Sequence, residues 1–395
     1  MNAKDARRPR TQWALFAPQD AYRGDSLDHI AEIVHPGVAD GEANLVYNPF
    51  CEWVRRQSNV SVSMQGELVI NETGGTILYL TGGRQRPRKS DDWNAYDLAM
   101  ILRVEDSGSI TKAVEYVSPP EACPSDETSI NFKSATIAND RLYITTNTEI
   151  MIYRLTSFER VGYLSLPWFN DVHYMCPGRT GNLFVVSTGL DMLGEITPDG
   201  EMVREWSSLG EDTWERFSRQ IDYRKVATTK PHRSHPNFVI ETGDDVWITR
   251  LQQKDVYCLT QPERRIEFSG YPHDGVRWNG KLYFTTVNGY VHVVDEKTMM
   301  LEQTHNVNEI NHEEVSLGWM RGILPVGDNQ FWLGFTRLRA TKFQDNISWL
   351  KHGLKQFYLP TRIALVDVES KTVLREINLE PHGIHAVFSI LPYQL

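Results

Sequence analysis

The chain is poor in several features that would place it outside the folded, water-facing proteins. Its 395 residues hold four cysteines, Cys51, Cys123, Cys176 and Cys258, far apart and without a C-x-x-C pair. That excludes a disulfide miniprotein and fits a reducing compartment. No apolar run approaches the roughly 18 residues of a membrane helix. The apolar stretch 13–17, after Arg7 and Arg8, is too short for the core of a signal peptide. Basic charge is also short: 41 Lys and Arg against 51 Asp and Glu give a net charge of −10. A protein that binds nucleic acid by neutralising phosphates is therefore not expected. These absences predict a cytoplasmic protein with neither membrane nor nucleic acid as partner. No G-x-G-x-x-G, P-loop, G-x-S-x-G or H-E-x-x-H motif occurs. Helical periodicity is nearly absent, apart from SLDHIAEIVHPG at 26–37. Residues 1–60 read as an irregular N-terminal extension packed on the domain formed by 61–395.

What is present is a repeat. Six segments share an apolar strand, most of them ending in small hydroxyl residues: ILYLTGG (77–83), LYITTN (142–147), LFVVSTG (183–189), VWITRL (246–251), LYFTTV (282–287) and FWLGFTR (331–337). Most follow a Gly, Asn or Asp turn that supplies the positive φ of a tight hairpin. Other strand candidates flank each copy: one about ten residues before it (for example HYMCP, HPNFVI or HDGVRW), one after it (MLGEITP, DVYCLT, YVHVVD), and often a fourth (EMVREWS, RRIEFS, TVLREIN). Evenly spaced four-stranded units predict an all-β, six-bladed β-propeller. The last segment, HGIHAVFSILPYQL, is a lone first strand, expected to complete the first blade and close the ring. ELVIN (67–71) offers an alternative first strand and with it a seventh blade.

Three insertions, 84–96, 207–234 and 338–360, fall in loops that share one propeller face, where binding residues concentrate. His173, His235, His273 and His385 stand at first-strand starts, which line the central channel at that face. Arg321 holds the corresponding place in the sixth blade, and Ser134 or Lys133 in the second. Thr249–Arg250 and Thr336–Arg337 read as equivalent second-strand ends, with both arginines at the channel mouth. Asn237 lies on the same side of its strand as His235. A lone histidine at a strand start is commonly a polar plug, but four in corresponding places point to function. Two chemistries suit them. Neutral imidazoles with arginines can attack and hold a tetrahedral oxyanion such as sulfate or phosphate. Alternatively His173, His235, His273 and His385 can ligate Fe, Cu or Zn. A non-catalytic propeller binding a protein or small ligand is the third possibility. The acidic NHEEV (311–315) is a further loop candidate, and Trp168, Trp319, Trp349 and Tyr358 could floor a pocket for a planar substrate.

The stretch NDVHYMCPGRTGNLFVVSTGLDMLGEITPDGEMVREW (170–206), HPNFVIETGDDVWITR (235–250) and the HDG at His273 resemble blades of the bacterial arylsulfotransferase propellers, over roughly residues 130–305. That resemblance implies a six-bladed propeller that moves sulfuryl groups between phenols, without a nucleotide donor, through a covalently sulfated channel histidine. It implies His273 as the nucleophile. His235 and Asn237 would bind the sulfuryl oxygens, Arg250 would neutralise developing charge, and His173 would complete the cradle. A small, aromatic or phenolic substrate is then expected, with Arg321, Arg337 and His385 as further substrate contacts. That family is typically exported and carries an N-terminal β-domain, whereas no signal peptide is read here. Arg337 and His385 have no counterpart in its pattern. Cofactor need, substrate identity and oligomeric state stay open in the sequence.

Overall fold

A computed structural model describes residues 78–86, 96–126, 128–155, 157–310, 316–338 and 359–392, together with the backbone of 60–62 and 68–70. The extension 1–59, NHEEV, Trp349 and Tyr358 lie outside the described residues, as do the middles of the insertions at 84–96 and 338–360.

The chain forms six four-stranded antiparallel sheets, five of them built in sequence order from the inside outwards, and together they make a six-bladed β-propeller. Blade II comprises Ala135–Ala138, Arg141–Thr145, Ile150–Arg154 and Arg160–Leu164. Blade III runs from Val172–Pro177 to Met202–Ser207, blade IV from Pro236–Thr242 to Arg265–Glu267, blade V from Pro272–Trp278 to Leu301–Asn306, and blade VI from Trp319–Gly327 to Thr372–Asn378. Blade I takes its innermost strand, Ala386–Pro392, from the C-terminus and its others, Leu78–Gln85, Tyr96–Val104 and Ile110–Tyr116, from the start of the propeller. The expected closure is thus made, and it removes the open edges. Leu68–Ile70 pairs instead with Val60–Val62 in a separate two-stranded sheet, which corrects the seven-blade alternative.

The core lies between blades. Each inner strand alternates between its two neighbours: Tyr283, Val291, Ile323 and Leu333 pack between blades V and VI, and Phe238, Trp247, Leu282 and Phe284 between IV and V. Among the described residues no helix is long and apolar enough to cross a membrane.

The hydroxyl endings of the second strands have a definite task. In five blades the first strand carries a bulge near its start, at Val172/Tyr174, Pro236/Val239, Pro272/Gly275, Arg321/Ile323 and Val387/Ile390. A bulge frees an N–H from the ladder. In three blades the facing threonine accepts it: Ser389 N–H bonds Thr81 Oγ1 (3.0 Å), Phe238 N–H bonds Thr249 Oγ1 (3.0 Å) and Asp274 N–H bonds Thr285 Oγ1 (3.3 Å). The bulges turn first-strand side chains towards the axis and so place the site.

Candidate functional site

The ring follows from the sheet register. In each blade one pair of inner-strand residues faces the preceding blade: Ala135–Ile144, Met175–Val185, Val239–Ile248, Gly275–Phe284, Ile323–Leu333 and Ile390–Leu80. Two residues upstream of the first member stand Lys133, His173, Asn237, His273, Arg321 and Phe388. These six are the equivalent positions. His173 and His273 have ring centroids 5.4 Å apart, and His273 and Phe388 6.4 Å apart. The Arg321 guanidinium stacks over Phe388 at 4.7 Å, and Asn237 Nδ2 donates to the Pro272 carbonyl at 3.3 Å.

This register corrects three expected equivalences. The counterpart of His173 and His273 in blade IV is Asn237, with His235 two residues upstream. In blade I it is Phe388, with His385 three residues upstream, where the His385 Nδ1 accepts from the Gln85 N–H at 3.2 Å. In blade VI, Leu333 matches Ile248, so Phe335 matches Arg250, and Arg337 lies two residues further on.

His235 nevertheless joins the ring. Its backbone is left-handed, with φ of 57°, and its imidazole meets His173 at a centroid distance of 5.2 Å. The deep acceptor behind this turn is Asp191, which is 1% exposed. Its Oδ1 accepts the Ser234 (2.9 Å) and His235 (2.8 Å) N–H groups, and its Oδ2 accepts the Arg233 N–H (2.9 Å) and Arg216 (2.8 Å). The insertion 207–234 thereby ends on blade III and also delivers His232, which the sequence reading passed over. His232 and His235 hydrogen-bond through their Nδ1 atoms at 2.8 Å.

The electrostatics favour neutral imidazoles. Burial, with Lys133 close by, pushes His173 well below its ordinary value. Burial does the same to His235, and it lowers His232 and His273. The two cations and two acids of the ring offset each other. Lys133 is ion-paired to Asp171. Burial alone would raise the Asp171 carboxyl, but Lys133 and the neighbouring histidines outweigh it and hold it well below the carboxylate range. Asp274 Oδ2 accepts the Gly322 N–H at 2.7 Å, and its Oδ1 lies 3.1 Å from His273 Nδ1. The Nε2 of His273, a residue 2% exposed, makes no hydrogen bond among the described residues. Asn237 Oδ1 is likewise buried and unsatisfied. Such orphaned polar atoms in a rigid ring mark a place where a ligand completes the bonding.

The ring closes one end of the central channel, whose volume of about 1340 Å³ is walled by first-strand residues such as Ile137, Tyr174, Val276 and Ile323 and reaches Asp274 and Phe388. On the other side a cavity of about 20 Å³ touches Asp171 and His232.

Two expected arginines stand apart from this ring. Arg250 gives both a 2.8 Å and a 2.5 Å bond to Asp255, bonds the Ser208 carbonyl and covers the Tyr257 ring at 3.8 Å. Its charge is committed to tying the outer strands of blade IV to blade III. Arg337 pairs with Glu380 at 3.3 Å. Among the described residues no three His, Cys, Asp or Glu side chains are grouped to hold a metal ion. His385 stays apart, His173 Nδ1 is spent on the Asp171 carbonyl at 2.9 Å, and His235 Nδ1 on His232. The four-histidine ligand set is therefore not assembled as expected.

No family model matches the sequence, and no curated protein matches it. The fold is shared with a solved structure. A protein of unknown function from Bacteroides caccae superposes with a TM-score of 0.51 at 13% identity, over 82% of this chain and 100% of that one. Virginiamycin B lyase from Staphylococcus aureus, at 15% identity, covers 81% of this chain and 83% of its own with a TM-score of 0.39. The first likeness concerns fold alone, and the second is too weak to carry argument. The expected arylsulfotransferase membership thus has no family match behind it, whereas the six-bladed propeller it implied is the fold observed.

Proposed function

We propose that the ring is the active site of an enzyme transferring an anionic group, on the arylsulfotransferase pattern, from a small aryl ester to a phenolic acceptor. The observation that carries this reading is His273, which is buried and neutral, with an Nε2 unbonded among the described residues, next to Arg321 and near Lys133. A neutral imidazole has the lone pair a nucleophile needs. The flanking cations match a sulfuryl oxyanion. Asp274, beside Nδ1, favours the proton there and leaves Nε2 to attack. In the first step the Nε2–S bond forms, the S–O bond to the aryl group breaks, and its electron pair leaves on the phenolate. The imidazolium charge so created faces Asp274. In the second step the acceptor oxygen attacks sulfur, its proton passes to another imidazole of the ring, and the N–S pair returns to His273. Asn237 and Arg321 are the oxygen ligands, with His173 and His235 on the open side.

The test is turnover of 4-nitrophenyl sulfate with phenol as acceptor, wild type beside His273→Ala. Acceptor-dependent release of nitrophenol that disappears in the variant supports the reading, as does a sulfo adduct on the His273 peptide when the acceptor is withheld. Undiminished turnover by His273→Ala overturns the mechanism.

A further inference from the structure

The hydrogen bonds around His232 can be followed donor by donor. Asn170 Nδ2 donates to the Tyr223 and Val226 carbonyls, each at 2.8 Å, so its Oδ1 is an acceptor. The Thr229 hydroxyl faces that Oδ1 at 3.3 Å and the Gly189 carbonyl at 2.5 Å. Both are oxygens without hydrogen, so the single Thr229 hydrogen goes to one of them. Towards His232 Nε2, at 3.4 Å, the hydroxyl is then an acceptor, and that nitrogen carries the proton. A neutral His232 is therefore bare at Nδ1. The 2.8 Å contact between the two Nδ1 atoms needs one hydrogen, which must come from His235. His235 is then protonated at Nδ1 and bare at Nε2, the nitrogen that no described residue bonds.

We infer that Thr229 and His232 form a relay that fixes His235 as the proton acceptor of the site, with its basic Nε2 turned to the substrate. This rests on the ring being the reaction site. When the acceptor hydroxyl gives its proton to His235 Nε2, the Nδ1 proton passes along the 2.8 Å bond to His232 Nδ1. The positive charge then stands on His232, with Asp171 Oδ2 at 4.0 Å to balance it. His173 has a bare Nε2 too, since its Nδ1 faces the Asp171 carbonyl at 2.9 Å and the Asp171 carboxylate at 3.7 Å, but no second imidazole follows it to carry the charge away. Besides Asp171, the charged groups facing the pair are Lys230 and Lys133, which oppose a cation, and Asp191, which favours one at His232. His235 is thus the base, and His232 is a positioning residue two bonds from the substrate.

Long-range proton–nitrogen NMR of the full chain labelled with ¹⁵N-histidine tests this without altering the site, with His232→Asn and His235→Asn used for assignment. The expected spectrum at neutral pH shows His235 with an unprotonated Nε2 and His232 with an unprotonated Nδ1. Protonation of His235 at Nε2, or a charged pair at neutral pH, overturns the inference. In turnover assays His235→Asn is expected to lower kcat by at least about a hundredfold. His232→Asn is expected to lower it less and to move the acidic limb of the kcat–pH profile to lower pH. An unmoved limb, at any kcat, overturns the positioning role. The NMR assignment is read without turnover, so a failure of the sulfuryl-transfer reading registers separately, in the His273→Ala assay.

Discussion

Replacing Asp191 by Asn tests how the site is held. The carboxylate takes four bonds, two at each oxygen, from Arg233, Ser234, His235 and Arg216, all between 2.8 and 2.9 Å. An amide offers one acceptor and one donor in place of two acceptors. Whichever way it turns, two N–H donors face its NH2 group. A hydrogen bond to a charged group contributes about 1.5–3 kcal/mol, and breaking a buried network by removing one partner costs about 3–5 kcal/mol. The same contacts hold His235 at a φ of 57°. A residue other than glycine held there carries about 1–3 kcal/mol of its own strain, so the turn is expected to relax once released. For domains of 150–250 residues 1 kcal/mol shifts Tm by about 2–4 °C, and less in larger ones, so roughly 5–10 °C is expected here. Calorimetry gives the shift, and hydrogen exchange at residues 233–235 localises it. A melting temperature within about 1 °C of wild type, with unchanged exchange at those amides, would refute the account of Asp191 as the anchor.

The remaining predictions address protonation, packing and closure. Burial first of all lowers His173, His232, His235 and His273 below 6.5, and takes His292 to about 4. As pH falls through about 6.5 the unfolded chain takes up these protons and the native chain does not, so stability is full above that pH and declines below it, by about 1.4 kcal/mol per histidine per pH unit. The urea midpoint should therefore be lower at pH 5.5 than at 7.5, and equal midpoints would contradict it. Gly322, at φ of 72°, would place a Cβ 2.6 Å from the Phe388 carbonyl oxygen, so Gly322→Ala should destabilise by about 1–3 kcal/mol in chemical denaturation. Removing residues 386–395 takes away the inner strand of blade I, and with it buried Val387, Phe388 and Ile390; loss of cooperative melting is expected, and retained two-state melting would speak against closure by this strand. Ile390→Ala alone should cost about 2–5 kcal/mol.

The blades were readable because the repeat is physical: an apolar second strand must follow a tight turn, and its terminal hydroxyl must cap a bulge. Thr249 and Thr285 do that work, and they made the copies recognisable in sequence. The ring was readable in part. His173 and His273 occupy the inferred place, and Arg321 and Lys133 fall at it in their blades. His235 and His385 lie two and three residues upstream of the ring position, because strand starts alone do not fix the frame, which shows only once strands are paired. Phe388 escaped notice because an apolar residue at a strand start carries no sign of a site, and its stacking under Arg321 is a purely spatial fact. His292, in the third strand of blade V, is fully buried and stacks on Phe268 with centroids 4.1 Å apart.

His232 is the more instructive omission. It lies in an insertion without strand period, so no repeat could place it; what places it is Asp191 on the preceding blade, through the backbone of residues 233–235. Asp191 has the backbone of an ordinary turn residue, with φ of 51° after a short 3-10 turn. Its side chain, though, is the acceptor around which the insertion closes. A long loop can hold an imidazole as firmly as a strand does when its backbone donors share one buried carboxylate, because the bonds are charge-assisted and shielded from water. The histidines of this mouth therefore come from two sources: bulged inner strands supply His173 and His273, and a carboxylate-anchored loop, the insertion and the residue after it, supplies His232 and His235. The first is written in the repeat. The second is written in a single aspartate 41 residues before His232, and only the fold connects them.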